Sequence, residues 1–340
     1  MNLLACPLGS PGFAFPVIAI AERAAARGHR VDFLTAPWLG PLLRGVGFVH
    51  TPCAGFDTRA WHDPRAIAAQ FNGLESRRPD VILTSALALG PLLAGERLGV
   101  PVVVVGLLTD LLQQREAFAA AWDGARAVLG FAGAPVERLL GDVYLQRGIP
   151  GLVAGPHLVG ECAWEPPLLG GARDWLAAAA RDGATVAYAS PARSFGGPGF
   201  WEHLGGLPAG VRVAASIARL DQAGAAPAGA LVAPLLPQRA MLAQAAVAII
   251  SGSTAAAAGA MAAGVPLVVV PDGGEGPAIA ALVERAGVGV TLPAAAVTPA
   301  RLGAAFEAAR HLDPAPRQAL RQAFAAIDGP GVAMSRIEGL

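Results

Sequence analysis

Ala246-Val-Ala-Ile-Ile-Ser-Gly-Ser-Thr254 leads into an Ala-rich run that stops at Gly264, and Val265-Pro-Leu-Val-Val-Val-Pro271 follows. Five apolar residues without alternation read as a strand buried on both faces, as a parallel sheet demands. Ser251-Gly-Ser-Thr254 is a small-residue turn that opens a helix, and the next β-branched run is a second parallel strand. The first turn of such a helix carries unpaired backbone N–H groups and the positive end of the helix dipole. Gly252 lets another group approach the backbone closely, and hydroxyl residues surround it. The pattern fits a phosphate or carboxylate site. It fits equally a plain N-cap supplied by Ser253 or Thr254.

The same alternation runs outward through the chain. In the first half it predicts strands at 2–6, 30–35, 81–84 and 102–105. Helices are predicted at 16–27, closed by Gly28, and at 40–45, 89–98, 111–129 and 136–146. The second half gives strands at 185–189, 211–214, 230–233, 246–250 and 267–270, with helices at 173–181, 277–286, 299–309 and 316–327. A Pro/Gly-rich stretch, Pro156-His-Leu-Val-Gly-Glu-Cys-Ala-Trp-Glu-Pro-Pro167, separates the halves. The expected organisation is α/β, with two doubly wound, Rossmann-like parallel-sheet domains. These are residues 1–160, a linker at 161–182, and residues 183–340 with closing helices. Open α/β sheets bind ligands at the carboxyl ends of their strands.

Composition narrows the partners. Of 340 residues, 54% are hydrophobic and 15% charged, enough apolar surface for two cores. Lys+Arg and Asp+Glu balance at 25 each, so no net field draws the chain to nucleic acid or anionic membrane. A small molecule or another protein is the expected partner. Mean hydropathy is +0.49, yet no apolar run approaches the ~20 residues of a membrane span. Met1–Pro7 lacks a basic lead and reads as a first strand, not a signal peptide. Cys6, Cys53 and Cys162 are scattered and match no zinc spacing, which fits packed thiols in the reducing cytoplasm.

Several stretches resemble, in collinear order, the GT-B glycosyltransferases that act on antibiotics, macrolides and other secondary metabolites. In the second half these are Ala233-Pro-Leu-Leu-Pro-Gln238, the run 246–254, Ala262–Pro271 and Ala286-Gly-Val-Gly-Val290. In the first half they are Pro7–Pro16, Arg27-Gly-His-Arg-Val31 and Ala86–Pro101. The resemblance implies two facing Rossmann-like domains with a cleft. It also implies sugar transfer from a nucleotide-sugar donor to a small apolar acceptor. No cofactor is expected beyond that co-substrate.

At the positions that the family uses for chemistry, this chain departs. The acceptor-deprotonating His implied by the resemblance falls on Phe13. Its orienting Asp falls in Leu83-Thr-Ser-Ala-Leu87, which has no carboxylate. The diphosphate-contacting His becomes Ser251, the Gly-Gly pair Gly252-Ser253, a phosphate hydroxyl Ala256 and the ribose carboxylate Gly259. The sugar-reading Asp-Gln pair becomes Glu275-Gly276. Gln238, near the nucleobase in the family, is kept. Ser190-Pro-Ala-Arg-Ser194 replaces a Gly-Thr or Gly-Ser turn, and Arg193 there is either a phosphate ligand or a surface arginine. The expected donor set is therefore Ser190, Arg193, Gln238, Ser251, Gly252, Ser253, Thr254 and Glu275. A general base contributes roughly 10²–10⁴-fold to rate. A charge-assisted hydrogen bond contributes about 1.5–3 kcal/mol. Losing several should cripple ordinary transfer.

His62, beside Trp61 and Asp63 in a first-domain loop, is the substitute base candidate, with Asp63 as its partner; a solvated loop histidine is the other reading. Phe13, Phe15, Phe56 and Trp61 are candidates for an apolar acceptor wall; core packing would use the same residue types. Two functions follow. One is a divergent glycosyltransferase with a non-standard site. The other is a pseudo-glycosyltransferase, serving as partner to an active enzyme or re-used for other chemistry on a natural product. Homodimers and heteromers with a partner enzyme are both open.

Overall fold

The computed structural model describes residues 1–340 apart from 168–169, 192–194, 198 and 218–223, and apart from the side chains of Ala60, Gln113, Gln114 and Ala117. The chain divides into two compact units, Met1–Trp164 with Ile327–Leu340, and Glu165–Ala326. Each contains one six-stranded, all-parallel sheet.

The first sheet is built from β1 (Asn2–Cys6), β2 (Arg30–Thr35), β3 (Val49–Pro52), β4 (Val81–Ser85), β5 (Val102–Val105) and β6 (Val143–Leu145), in the order β3-β2-β1-β4-β5-β6. The second comprises β7 (Thr185–Ser190), β8 (Val211–Ser216), β9 (Leu231–Ala233), β10 (Ala245–Ile250), β11 (Leu267–Val269) and β12 (Gly289–Thr291). Its order, β12-β11-β10-β7-β8-β9, is that of the first sheet renumbered. Both are doubly wound, with the reversal of strand order beside β1/β4 in one unit and β7/β10 in the other. The crevice at that reversal, at the carboxyl edge, is where such sheets take ligands. Central strands are buried on both faces: β4 and β5 along their whole length, and β10 from Val247 to Ile250. That burial is why they read as unbroken apolar runs.

Several expectations are corrected. The first helix is Pro11–Ala26, not 16–27: Ser10 is its N-cap residue and Pro11 opens it, so Pro16 lies inside. Residues 136–146 are not one helix but a 3₁₀ segment (Val136–Leu140) followed by β6, because Gly141 at φ 66° breaks the chain between them. The unit boundary falls between Trp164 and Glu165, inside the expected linker, while the helix expected at 173–181 is present as Gly170–Arg181. The C-terminal helix (Gly329–Ile337), capped by Asp328, joins the first unit instead of closing the second. Its Ala333, Met334 and Ile337 lie in the same core cluster as Val17, Ile20 and Ala24 of the first helix. Arg23–Asp328 and Arg27–Glu338 ion pairs at 2.9 and 2.6 Å flank that seam. Among the described residues, no helix is long and apolar enough to cross a membrane.

Candidate functional site

In the second unit the expected donor residues gather at the carboxyl edge beside the β7/β10 reversal. β10 ends at Ile250, paired with Ser190 at the end of β7, and the Ser251 amide donates to the Ser190 carbonyl at 3.4 Å. The chain turns at Gly252 (φ 81°), and Ser253 caps the Thr254–Ala263 helix by accepting from the Ala256 amide. The N-cap expected of Ser253 is thus present.

The helix end is occupied by the chain's own carboxylate. Glu275, in the loop after β11, accepts from the Thr254 amide through Oε1 and from the Thr254 hydroxyl through Oε2, both at 2.6 Å. Two short charge-assisted bonds at the positive end of a helix are what a phosphate would seek there. Thr254 is 2% exposed and Ser251 7%. Gly252 serves this closure. A Cβ on it would lie 2.7 Å from the Gly276 Cα, so its missing side chain lets the Gly276 backbone approach the turn.

The remaining donor candidates are turned inward as well. Gln238 donates through Nε2 to the Ala255 and Ala256 carbonyls at 3.2 and 3.4 Å. Its amide lies where a side chain at Gly259 would begin, 2.5 Å from an added Cβ. The space beside Gly259 is thus taken by Gln238. Burial pushes up the phenol of Tyr188, two residues before Ser190 on β7. Glu165 accepts from the Arg239 amide at the start of the Gln238–Leu242 helix, and its burial raises its carboxyl. Arg193 lies outside the described residues.

In the first unit the corresponding edge is apolar. Phe13 and Leu87 follow β1 and β4, Leu107 follows β5 and Trp61 follows β3; all four are half-buried on one core cluster. Trp61 meets Phe118 edge-on at 5.5 Å between ring centroids. The expected four-aromatic wall does not assemble. Phe56 is wholly buried, and Phe15 packs into a different cluster against Trp164, 4.9 Å away. The polar groups at the ends of these strands are spent on backbone: Thr84 donates to the Cys6 carbonyl at 2.7 Å, and the Ser85 hydroxyl accepts from the Leu8 amide at 3.0 Å. Leu87 stands at φ 68°, alone among the described non-glycine residues in the left-handed region. Such a conformation in a bulky residue stores strain and concentrates at functional edges. No sequence signal marked it.

His62 is exposed with its ring edge-on to Trp61, 5.3 Å away. Asp63 is spent as the N-cap of the Pro64–Glu75 helix, accepting from the Arg65 amide at 2.9 Å. Among the described residues no cluster of three or more His, Cys, Asp or Glu side chains is placed to hold a metal.

No protein-family model and no curated protein matches the chain. Solved structures do. The kitacinnamycin glycotransferase superposes with a TM-score of 0.75 at 21% identity, over 99% of this chain and 98% of its own. The spinosyn forosaminyltransferase SpnP gives 0.76 at 19%, over 100% and 98%. The glycosyltransferase SsfS6 from Streptomyces sp. SF2575, solved with thymidine diphosphate, gives 0.74 at 20%, over the whole of both chains. With the same strand order in each of its two parallel sheets, this chain has the GT-B fold of the natural-product glycosyltransferases.

Proposed function

We propose that the chain is a pseudo-glycosyltransferase of natural-product metabolism, an auxiliary protein that keeps both Rossmann-like units but does not transfer sugar from a nucleotide donor. The observation that carries this reading is Glu275, whose carboxylate takes the Thr254 amide and hydroxyl at the helix end where a donor diphosphate would bind. The neighbouring candidates Ser253 and Gln238 are likewise spent on internal bonds. In the first unit, Phe13 at the position of the implied base has no proton-accepting group. What remains is an apolar edge of Phe13, Trp61, Leu87 and Leu107, suited to a small apolar natural product or a face of a partner enzyme.

The second reading is sugar transfer by a non-standard site. It is favoured by the full-length likeness to named glycosyltransferases, one of them solved with thymidine diphosphate. On this reading Glu275 swings away to admit a nucleotide sugar, and His62 deprotonates the acceptor. Calorimetric titration with TDP, UDP and GDP and their common sugars separates the two. The proposal expects no binding at millimolar concentration. Micromolar binding, together with turnover lost in His62→Ala, would overturn it. Light scattering of the chain alone and co-purified with a neighbouring glycosyltransferase tests the auxiliary role.

A further inference from the structure

Pro16 lies inside the first helix and has no N–H, so the Gly12 carbonyl, four residues earlier, loses its helical donor. The donor that reaches it comes from far along the chain. Arg147, two residues past β6, donates from Nη1 to the Gly12 oxygen at 3.3 Å. Its Nη2 donates to Glu161 Oε1 at 2.5 Å. The guanidinium is 2% exposed and the carboxylate 13%. Burial pushes the Glu161 carboxyl up against the opposing pull of Arg147. Arg147 Nε and Glu161 Oε2 are buried without a partner. A buried ion pair with an unmet atom on each side is a poor source of stability, and an apolar pair of like volume would serve as well or better. Its placement accounts for it better.

Two segments meet at the pair, and a third lies on the backbone of the second. The first is the opening turn of the first helix, where the Phe13 and Ala14 amides both donate to the Ser10 carbonyl. The second is the segment by which the chain leaves the unit. Gly160 pairs with Gly148 in both directions at 2.8 and 3.2 Å, and Trp164 packs on Phe15 and donates to Glu22 at 2.8 Å. The third is the returning segment. A Cβ on Gly329 would lie 2.5 Å from the Val159 oxygen and 2.6 Å from the Glu161 oxygen, so that glycine allows the returning backbone to lie directly on the departing one.

We propose that Arg147 is a positioning residue that supplies the hydrogen bond Pro16 cannot, and that through Glu161 it couples the opening turn of the first helix, with Phe13, to the departing and returning segments. The inference does not depend on whether the chain transfers sugar.

Hydrogen exchange read residue by residue on the full chain tests it. In Arg147→Met, the amides of Phe13, Ala14 and Val17 and those of 159–163 should exchange about 10- to 100-fold faster together, as loss of a buried charge-assisted bond implies. Adding Pro16→Ala restores a main-chain donor to Gly12. It should return the helix amides to their original rates while 159–163 stay fast. A role in stability alone would not produce that selective rescue. Acceleration of one segment without the other, or failure of Pro16→Ala to rescue, overturns the proposal. If Arg147→Met does not fold, Arg147→Met with Glu161→Met removes the unpaired charge. Both segments should then exchange fast in a folded protein, and original rates in either overturn the coupling.

Discussion

Replacing Glu275 by alanine should expose an anion site that the native chain keeps closed. The carboxylate makes two charge-assisted hydrogen bonds to Thr254, each 2.6 Å long. At about 1.5–3 kcal/mol apiece, a ligand that displaces it forgoes about 3–6 kcal/mol. That is a factor of roughly 10²–10⁴ in affinity. A nucleoside diphosphate able to bind an open cradle at ~10 µM would then need ~1–100 mM against the native protein. The substitution removes the same two bonds from the folded state, costing up to about 3–6 kcal/mol of stability, read as a lower Tm. The protein should remain folded. Calorimetric titration of Glu275→Ala with TDP, and with inorganic phosphate as the smallest probe, should give a measurable heat where the native chain gives none. Glu275→Gln, which can still accept from Thr254 without a full charge, should fall between them. If Glu275→Ala folds, as its far-UV spectrum and melting curve would tell, and still binds neither probe at millimolar concentration, then Glu275 is not what closes the helix end. Micromolar TDP binding by the native chain would refute the reasoning from the other side.

At Leu87 the left-handed backbone (φ 68°) penalises any residue with a Cβ, so Leu87→Gly should be more stable than Leu87→Ala by about 1 kcal/mol in urea unfolding; the opposite order would mean the strain is absent. Cys162 is fully buried and its thiol is pushed up to about 12, and burial raises Cys6 further. Above the ordinary value of 9.0 the unfolded thiols ionise while the folded ones hold their protons. Stability should therefore fall with rising pH by about 1.4 kcal/mol per unit for each thiol, and Cys162→Ala should remove one share of that slope. Arg126, 4% exposed, forms a two-bond pair with Glu96 and stacks on Trp122. Arg126→Ala, which removes both bonds to the solvent-reached Glu96 carboxylate and empties the stack, should cost about 1.5–3 kcal/mol in the same assay; a loss under 1 kcal/mol would show the pair to be dispensable.

The central strands and the βαβ alternation were legible because parallel strands buried on both faces cannot alternate. Thus 2–6, 30–35 and 102–105 were read with the bounds they have. The sheet-edge strands β3, β6 and β12 were missed. They are three or four residues long, and half-exposed positions such as His50 and Thr51 dilute their pattern. The first helix extends five residues before Pro16, where the sequence pattern starts it. That Pro16 sits inside depends on Arg147, 135 positions past Gly12, and no local window contains it. At the candidate site, Ser253 was legible as a cap because capping is a three-residue affair. The closure of the site was not. Glu275 is 21 residues from Thr254, and only the adjacency of β10 and β11 brings the two together. Asp63 was read as a catalytic partner, whereas Asp-Pro before an amphipathic run is also a helix start, and that is how it is used.

The way the chain leaves the first unit and comes back has an architectural consequence. Gly160 lies within 3.0–3.2 Å, by its would-be Cβ, of Ile327, where the chain returns, and Gly329 rests on Val159 and Glu161. Residues 165–326 therefore hang from the first unit as a loop hangs from a hairpin, with both ends anchored side by side. A short Gly/Ser bridge from Trp164 to Ile327 would excise them and leave the first sheet and its C-terminal helix continuous. The excised stretch carries its own six-stranded sheet, and producing it alone tests whether it folds by itself. Each half of the fold can thus be tested by itself.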